Sequence, residues 1–146
     1  MLQVFPGEVF AQTTDFDAGI RQLLPHYDEM LEAVASCVPS TSRRILELGC
    51  GTGELSMKIL KRCANAEIIA LDYSPRMIEF SRSKMAEAGY QQWRGIEADF
   101  GEWANNPEKF DIGMEFDACV SSLAIHHISD EMKAKLFQRI AKSLKG

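Results

Sequence analysis

Several things that would narrow the function of this 146-residue chain at once are missing from it. It has no CxxC pair: Cys37, Cys50, Cys63 and Cys119 lie at no metal-ligand spacing, so no zinc site is legible. They read as reduced, mostly buried thiols of an intracellular chain. No stretch approaches the ~20 apolar residues of a membrane span. The first ten residues, MLQVFPGEVF, lack the basic and long apolar regions of a signal peptide, and a cytoplasmic location is the expectation. There is no basic excess either. Sixteen Lys and Arg stand against 21 Asp and Glu, for a net charge of −5, so the chain carries no electrostatic footprint for nucleic acid. Repeats, low-complexity runs and internal linkers are also absent.

What is present is ordinary globular composition, 46% apolar and 25% charged, in a length that fits one domain with a real core. Along it, helical and extended patterns alternate. Apolar residues at helical spacing, Met30, Leu31, Val34 and Val38, end at Pro39. Strands are expected at Arg44–Leu48, Ile68–Leu71, Gln92–Glu97 and Phe116–Ser121. A helix carrying Leu55, Ile59 and Leu60 follows the first strand. Another starts at Ser74-Pro75, with Ser as N-cap and Pro in the first turn, shows Met77, Phe80 and Met85 on one face, and closes at Gly89. Residues 101–110 are poorly periodic and read as irregular. A last helix begins after Ser129, with Asp130 and Glu131 in its first turn and a stripe of Met132, Leu136, Ile140 and Leu144, Phe137 alongside. Apolar strands alternating with helices call for an α/β fold: a parallel sheet covered on both faces. Ligands of such sheets lie beyond the carboxyl ends of the strands.

One of those ends carries the strongest local signal. Residues 45–55 read ILELGCGTGEL, placing Gly49, Gly51 and Gly53 directly after a strand and before a helix. Three glycines cost backbone entropy, and close approach of a ligand to the backbone is the usual reason for them. The pattern is G-x-G-x-G. The sixth position of the dinucleotide fingerprint falls on Glu54, and the P-loop's Lys-Ser/Thr pair is missing, so a nucleotide phosphate is poorly supported. A carboxylate at Glu47 beside the loop would repel phosphate and attract an ammonium or sulfonium, and together the two features suit a zwitterionic ligand.

On ILELGCGTG, ALDYSPRMIEFSR, IEADF and FDACVSSLAIHHISDE, in that order and spacing, the chain resembles the class I S-adenosyl-L-methionine (SAM)-dependent methyltransferases, from about Ile45 to Gly146. The resemblance implies a Rossmann-like three-layer sandwich with a parallel sheet of order 3-2-1-4, and a methyl transfer to a small-molecule acceptor by direct displacement. It implies that Gly49, Gly51 and Gly53, with Cys50 among them, admit the methionine part and ribose of the cofactor beside Glu47. Asp72 would accept the ribose hydroxyls. Tyr73 and Met77 would flank the adenine, Asp99 would accept its amino group with Phe100 nearby, and Ser121 and Ser122 would lie along the methionine portion. RQLLPHYD, residues 21–28, is similar to a stretch of some members, including carboxy-SAM synthases, whose tyrosine lies on the cofactor; Tyr27 takes that place here. From its charge alone, and not from the resemblance, Arg21 is a candidate clamp on the cofactor carboxylate.

His126 and His127 follow the fourth strand, where family members place substrate-facing residues. Adjacent histidines cannot both face one site on a strand or in the first turn of a helix, and no third ligand accompanies them, so no metal is expected. Loop residues without chemistry are the plainer reading of the pair; a general base is the functional one. Residues 1–40 read as an N-terminal helical cap and 41–146 as the SAM-binding core. Family members continue after L-K-x-G, whereas this sequence stops at Leu144-Lys145-Gly146, so the fold is expected truncated before the usual strands 5–7. The fourth strand would then be an apolar edge through which a homodimer could pair, or the chain a fragment of a longer protein. Two other functions stay open: a non-catalytic SAM-binding fragment or partner subunit, and a carboxy-SAM synthase-like enzyme.

Overall fold

The computed structural model describes residues 24–122, 124–125 and 128–146. Arg21, His126 and His127 lie outside the described residues, as does most of the span 1–40.

Four parallel strands form the sheet: β1 (Arg44–Leu48), β2 (Glu67–Asp72), β3 (Trp93–Glu97) and β4 (Ala118–Ser121), in the order β3-β2-β1-β4. β1 is the centre, pairing Leu48 with Leu71 on one side and with Ser121 on the other. The helices are α1 (Tyr27–Cys37), α2 (Glu54–Arg62), α3 (Pro75–Glu87), α4 (Phe100–Asn105) and α5 (Asp130–Ser143), with a 3-10 turn at Pro107–Lys109. Alternate strand residues point to opposite faces, and the apolar runs are divided accordingly. Ile45, Ile68 and Ala70 join Leu31, Leu55, Ile59, Leu60, Met77 and Met85 in one cluster under α1–α3. Leu46, Leu48, Ile69 and Leu71 join Trp103, Ile112, Phe116 and Leu136 in a second, under α4 and α5. These are the three layers read from the sequence. α1 shares its cluster with α2 and α3.

Helix ends follow local chemistry. Ser74 accepts the Met77 amide at 3.3 Å with Pro75 in the first turn, and Ser129 accepts that of Met132 at 3.2 Å. α3 closes in a Schellman turn: Gly89, at φ +82°, donates to Ala86 O, and Tyr90 donates to Met85 O.

Three expectations need correction. Residues 101–110 are not irregular: α4 starts at Phe100 because Asp99 accepts the Glu102 amide at 2.9 Å, and Trp103 is driven into the core. Six residues show too few turns for a period. The fourth strand starts at Ala118, not Phe116. Asp117 instead accepts the Arg43 and Arg44 amides, while Phe116 exchanges bonds with Ser143 and Lys145 in a parallel bridge to Leu144. Of the α5 stripe only Leu136 is fully buried, and Phe137 is 53% exposed.

Candidate functional site: the carboxyl edge of the sheet

All four strands run the same way, so Leu48, Asp72, Glu97 and Ser121 end on one edge. The chain leaves β1 toward β2 on one side and reaches β4 on the other, which makes the end of β1 the topological switch point. Residues 49–53 occupy it.

The three glycines are there for three different reasons. A side chain on Gly49 would have its Cβ 2.3 Å from the Ala124 Cβ, so this position is empty to let the segment after β4 pass. Gly53, at φ +88°, is met by α3, whose Ser81 Oγ and Met85 Cε lie 3.2 and 3.0 Å from where its Cβ would be. Gly51, at φ +50°, has nothing within 4 Å of that point. A side chain would thus be blocked by the chain's own packing at Gly49 and Gly53, whereas the Cβ direction of Gly51 is open. Open space over a left-handed glycine at the switch point is what a ligand pressed against the backbone requires.

Asp72 shapes this space. Its Oδ2 accepts the Gly51 amide at 3.1 Å and its Oδ1 the Ser74 amide at 2.8 Å, tying the loop after β1 to the end of β2. Burial raises its pKa, and the two amides pull it partly back. Cys50 lies against the same carboxyl and adds to these bonds. Tyr73, next along, is 45% exposed at the same edge. Ser121 donates to Leu48 O at 2.8 Å, so its hydroxyl is committed to the β1–β4 junction; Ser122 is half-buried beyond it. Asp99 is exposed at the end of β3, and the Phe100 Cζ comes within 3.7 Å of the Gly49 Cβ position. Met77 and Tyr27 are buried in the cluster under α1–α3 and present almost no surface. Cys50 is buried at the loop; burial and the neighbouring carboxyls keep it a thiol.

Glu47, two residues before Gly49, is buried within the sandwich. It is 1% exposed, and it accepts a hydrogen bond from the Ser56 hydroxyl, which itself accepts the Trp93 Nε1–H at 3.0 Å. Burial pushes its carboxyl up to about 8, against the Ser56 bond and helped by the Asp72 charge. Burial therefore disfavours the Glu47 anion. Sequence reasoning had no signal for Ser56 and Trp93, which sit 9 and 37 residues away from their partners in this relay. Among the described residues no group of three His, Cys, Asp or Glu could hold a metal ion, and no helix is long and apolar enough to cross a membrane.

A parallel sheet of this order with an acid-terminated β2 and a glycine turn after β1 defines the class I methyltransferase fold. Residues 45–146 match the family model described as a methyltransferase domain, and the chain belongs to that family of SAM-dependent enzymes. It is 30% identical over 131 residues to an uncharacterized methyltransferase of Oceanobacillus iheyensis, covering 90% of this chain and 54% of that protein. It is 38% identical over 89 residues to malonyl-acyl-carrier-protein O-methyltransferase 1 of Ilyobacter polytropus, covering 61% and 30%. Among solved structures, a protein of Methanococcus maripaludis described as an S-adenosyl-L-methionine-dependent methyltransferase superposes with a TM-score of 0.69 at 24% identity, over 92% of this chain and 58% of that one. The chain thus spans about half the length, or less, of the relatives it matches.

Proposed function

We propose that this chain binds SAM at the carboxyl edge of its sheet and serves a methyltransferase that acts on a small-molecule acceptor. The observation that carries the reading is the pairing of open space over Gly51 with the Asp72 carboxyl that holds the Gly51 amide. It joins a backbone bare enough for close approach to a carboxylate acceptor at the same edge.

Gly51 and Asp72 would hold the ribose and its link to the amino acid part. Tyr73, Asp99 and Phe100 border the adenine end, and Ser122 the methionine end. When bound, SAM supplies an electrophilic methyl on a sulfonium. The protein's contribution is to hold and align. Fixing two reactants in line is worth several kcal/mol of barrier, about 7 or more in the best-oriented cases. A net charge of −5 and the absence of a basic footprint favour a small acceptor over nucleic acid.

Calorimetric titration with S-adenosylhomocysteine and with NAD, on the wild type and on Asp72→Ala, tests the cofactor. Micromolar binding of the first ligand only, lost in the variant, is expected. NAD binding, or no binding of either, would overturn the reading. Transfer of labelled methyl to a panel of small carboxylic acids, phenols and amines then tests the acceptor class.

A further inference from the structure

Ser81 lies in the middle of α3 and is fully buried, at 0% exposure. Serine is a poorer helix former than alanine, and burying an unpaired hydroxyl is costly. A helical serine ordinarily satisfies its hydroxyl on the preceding turn. Two serines of this chain do so: Ser36 donates to Glu32 O at 2.7 Å and Ser143 to Ile140 O at 2.7 Å. Ser81 instead donates to Gly51 O at 2.8 Å, thirty residues away, with the Cys50 Sγ a second, longer acceptor at 3.8 Å.

The face of α3 that carries Ser81 grips the loop with its whole next turn. Lys84 Nζ is 3.0 Å from Glu54 Oε1 at the start of α2, and Met85 Cε fills the space left by Gly53. Residues at i, i+3 and i+4 share one helical face, so the three contacts act together. Gly51 is consequently held from both sides, its amide by Asp72 and its carbonyl by Ser81.

Resting on the function proposed above, we infer that Ser81 is a positioning residue for the cofactor: its hydroxyl fixes the orientation of the Gly51–Thr52 peptide and so pre-forms the left-handed turn that leaves the space over Gly51 open. An ordered turn spares the ligand the entropy of ordering it. Without the hydroxyl, the loop samples other orientations and affinity falls, although Ser81 itself never touches the ligand.

The test compares wild type, Ser81→Ala and the control Ser36→Ala in two measurements. Amide hydrogen exchange needs no ligand: the Gly51 and Gly53 amides should exchange faster in Ser81→Ala, with Leu46 and Leu71 in the core strands unchanged. Calorimetry with S-adenosylhomocysteine should then show about tenfold weaker binding, the size of one hydrogen bond. Ser36→Ala should match wild type in both. Equal affinity of Ser81→Ala and wild type, or unchanged exchange at Gly51, overturns the inference. If wild type itself fails to bind, the cofactor reading falls, and the exchange result alone decides whether Ser81 orders the loop.

Discussion

The Asp72 carboxylate accepts the Gly51 amide at 3.1 Å across 21 residues of sequence, and this bond joins the two strand ends between which a ligand would lie. A second bond, from the Ser74 amide, keeps the other oxygen in place. The carboxylate is a strut of the site as well as an acceptor.

Removing that strut should affect binding far more than folding. Burial already disfavours the Asp72 charge, so Asp72→Ala relieves a cost while it loses the bonds from the Gly51, Ser74 and Cys50 groups. Binding of S-adenosylhomocysteine should fall about 100-fold, the worth of one or two bonds to a charged group. The urea midpoint should move much less than in Leu48→Ala, where a fully buried leucine is truncated at a cost of about 2–5 kcal/mol. Unchanged affinity in Asp72→Ala would remove it from the site.

The glycines should separate by mechanism. Gly49→Ala and Gly53→Ala place a Cβ against Ala124 and against Ser81 and Met85, and both positions have positive φ. Each should destabilise by more than the ~1–2 kcal/mol of left-handed strain alone. Gly51→Ala meets only that strain, so it should fold better than the other two yet bind poorly, its methyl standing in the open space. Denaturant curves and ligand titrations of the three variants would show this. A Gly51→Ala protein that binds as well as wild type would mean that the space is not the ligand's.

Glu47 sets a pH dependence of stability. Folded, it keeps its proton up to about pH 8; its ordinary value is 4.5. Between those values the native state binds the extra proton. Stability therefore falls as pH rises through this window, by at most about 1.4 kcal/mol per unit, and levels off above it. Glu47→Gln removes the slope, so the variant should gain on wild type between about pH 5.5 and pH 8 in urea midpoint. Parallel pH profiles would show that the carboxyl is already ionised in the folded chain.

Trp93→Phe keeps a ring in the core and deletes the Nε1–H donor to Ser56. The Ser56 hydroxyl retains Glu47 as acceptor, so the loss is one buried hydrogen bond plus a small change in packing. A decrease of about 1–2 kcal/mol is expected by urea unfolding. A cost near zero would show that water replaces the indole.

Much of the fold could be read in advance. Apolar strands alternating with helices set the parallel sheet and its order through the family resemblance, and Ser74-Pro75 and Gly89 marked the ends of α3 where the caps are found. α4 escaped because its signal is a single capping aspartate and one buried tryptophan, too short for a period. The start of β4 was misplaced because Phe116 is as apolar as a strand residue, yet its bonds go to the end of α5.

By itself the sequence determined the local chemistry of this protein: which segments extend or coil, where glycines bend the chain after β1, and that an aspartate closes β2. Those properties depend on residues a few positions apart, and period and capping express them directly. Only the tertiary structure decided which glycine stays open, that Glu47 is buried with its carboxyl pKa raised, and that Ser81 reaches Gly51 instead of its own helix. Each of those depends on what another layer of the sandwich brings within a few ångströms, and on the water that this packing removes.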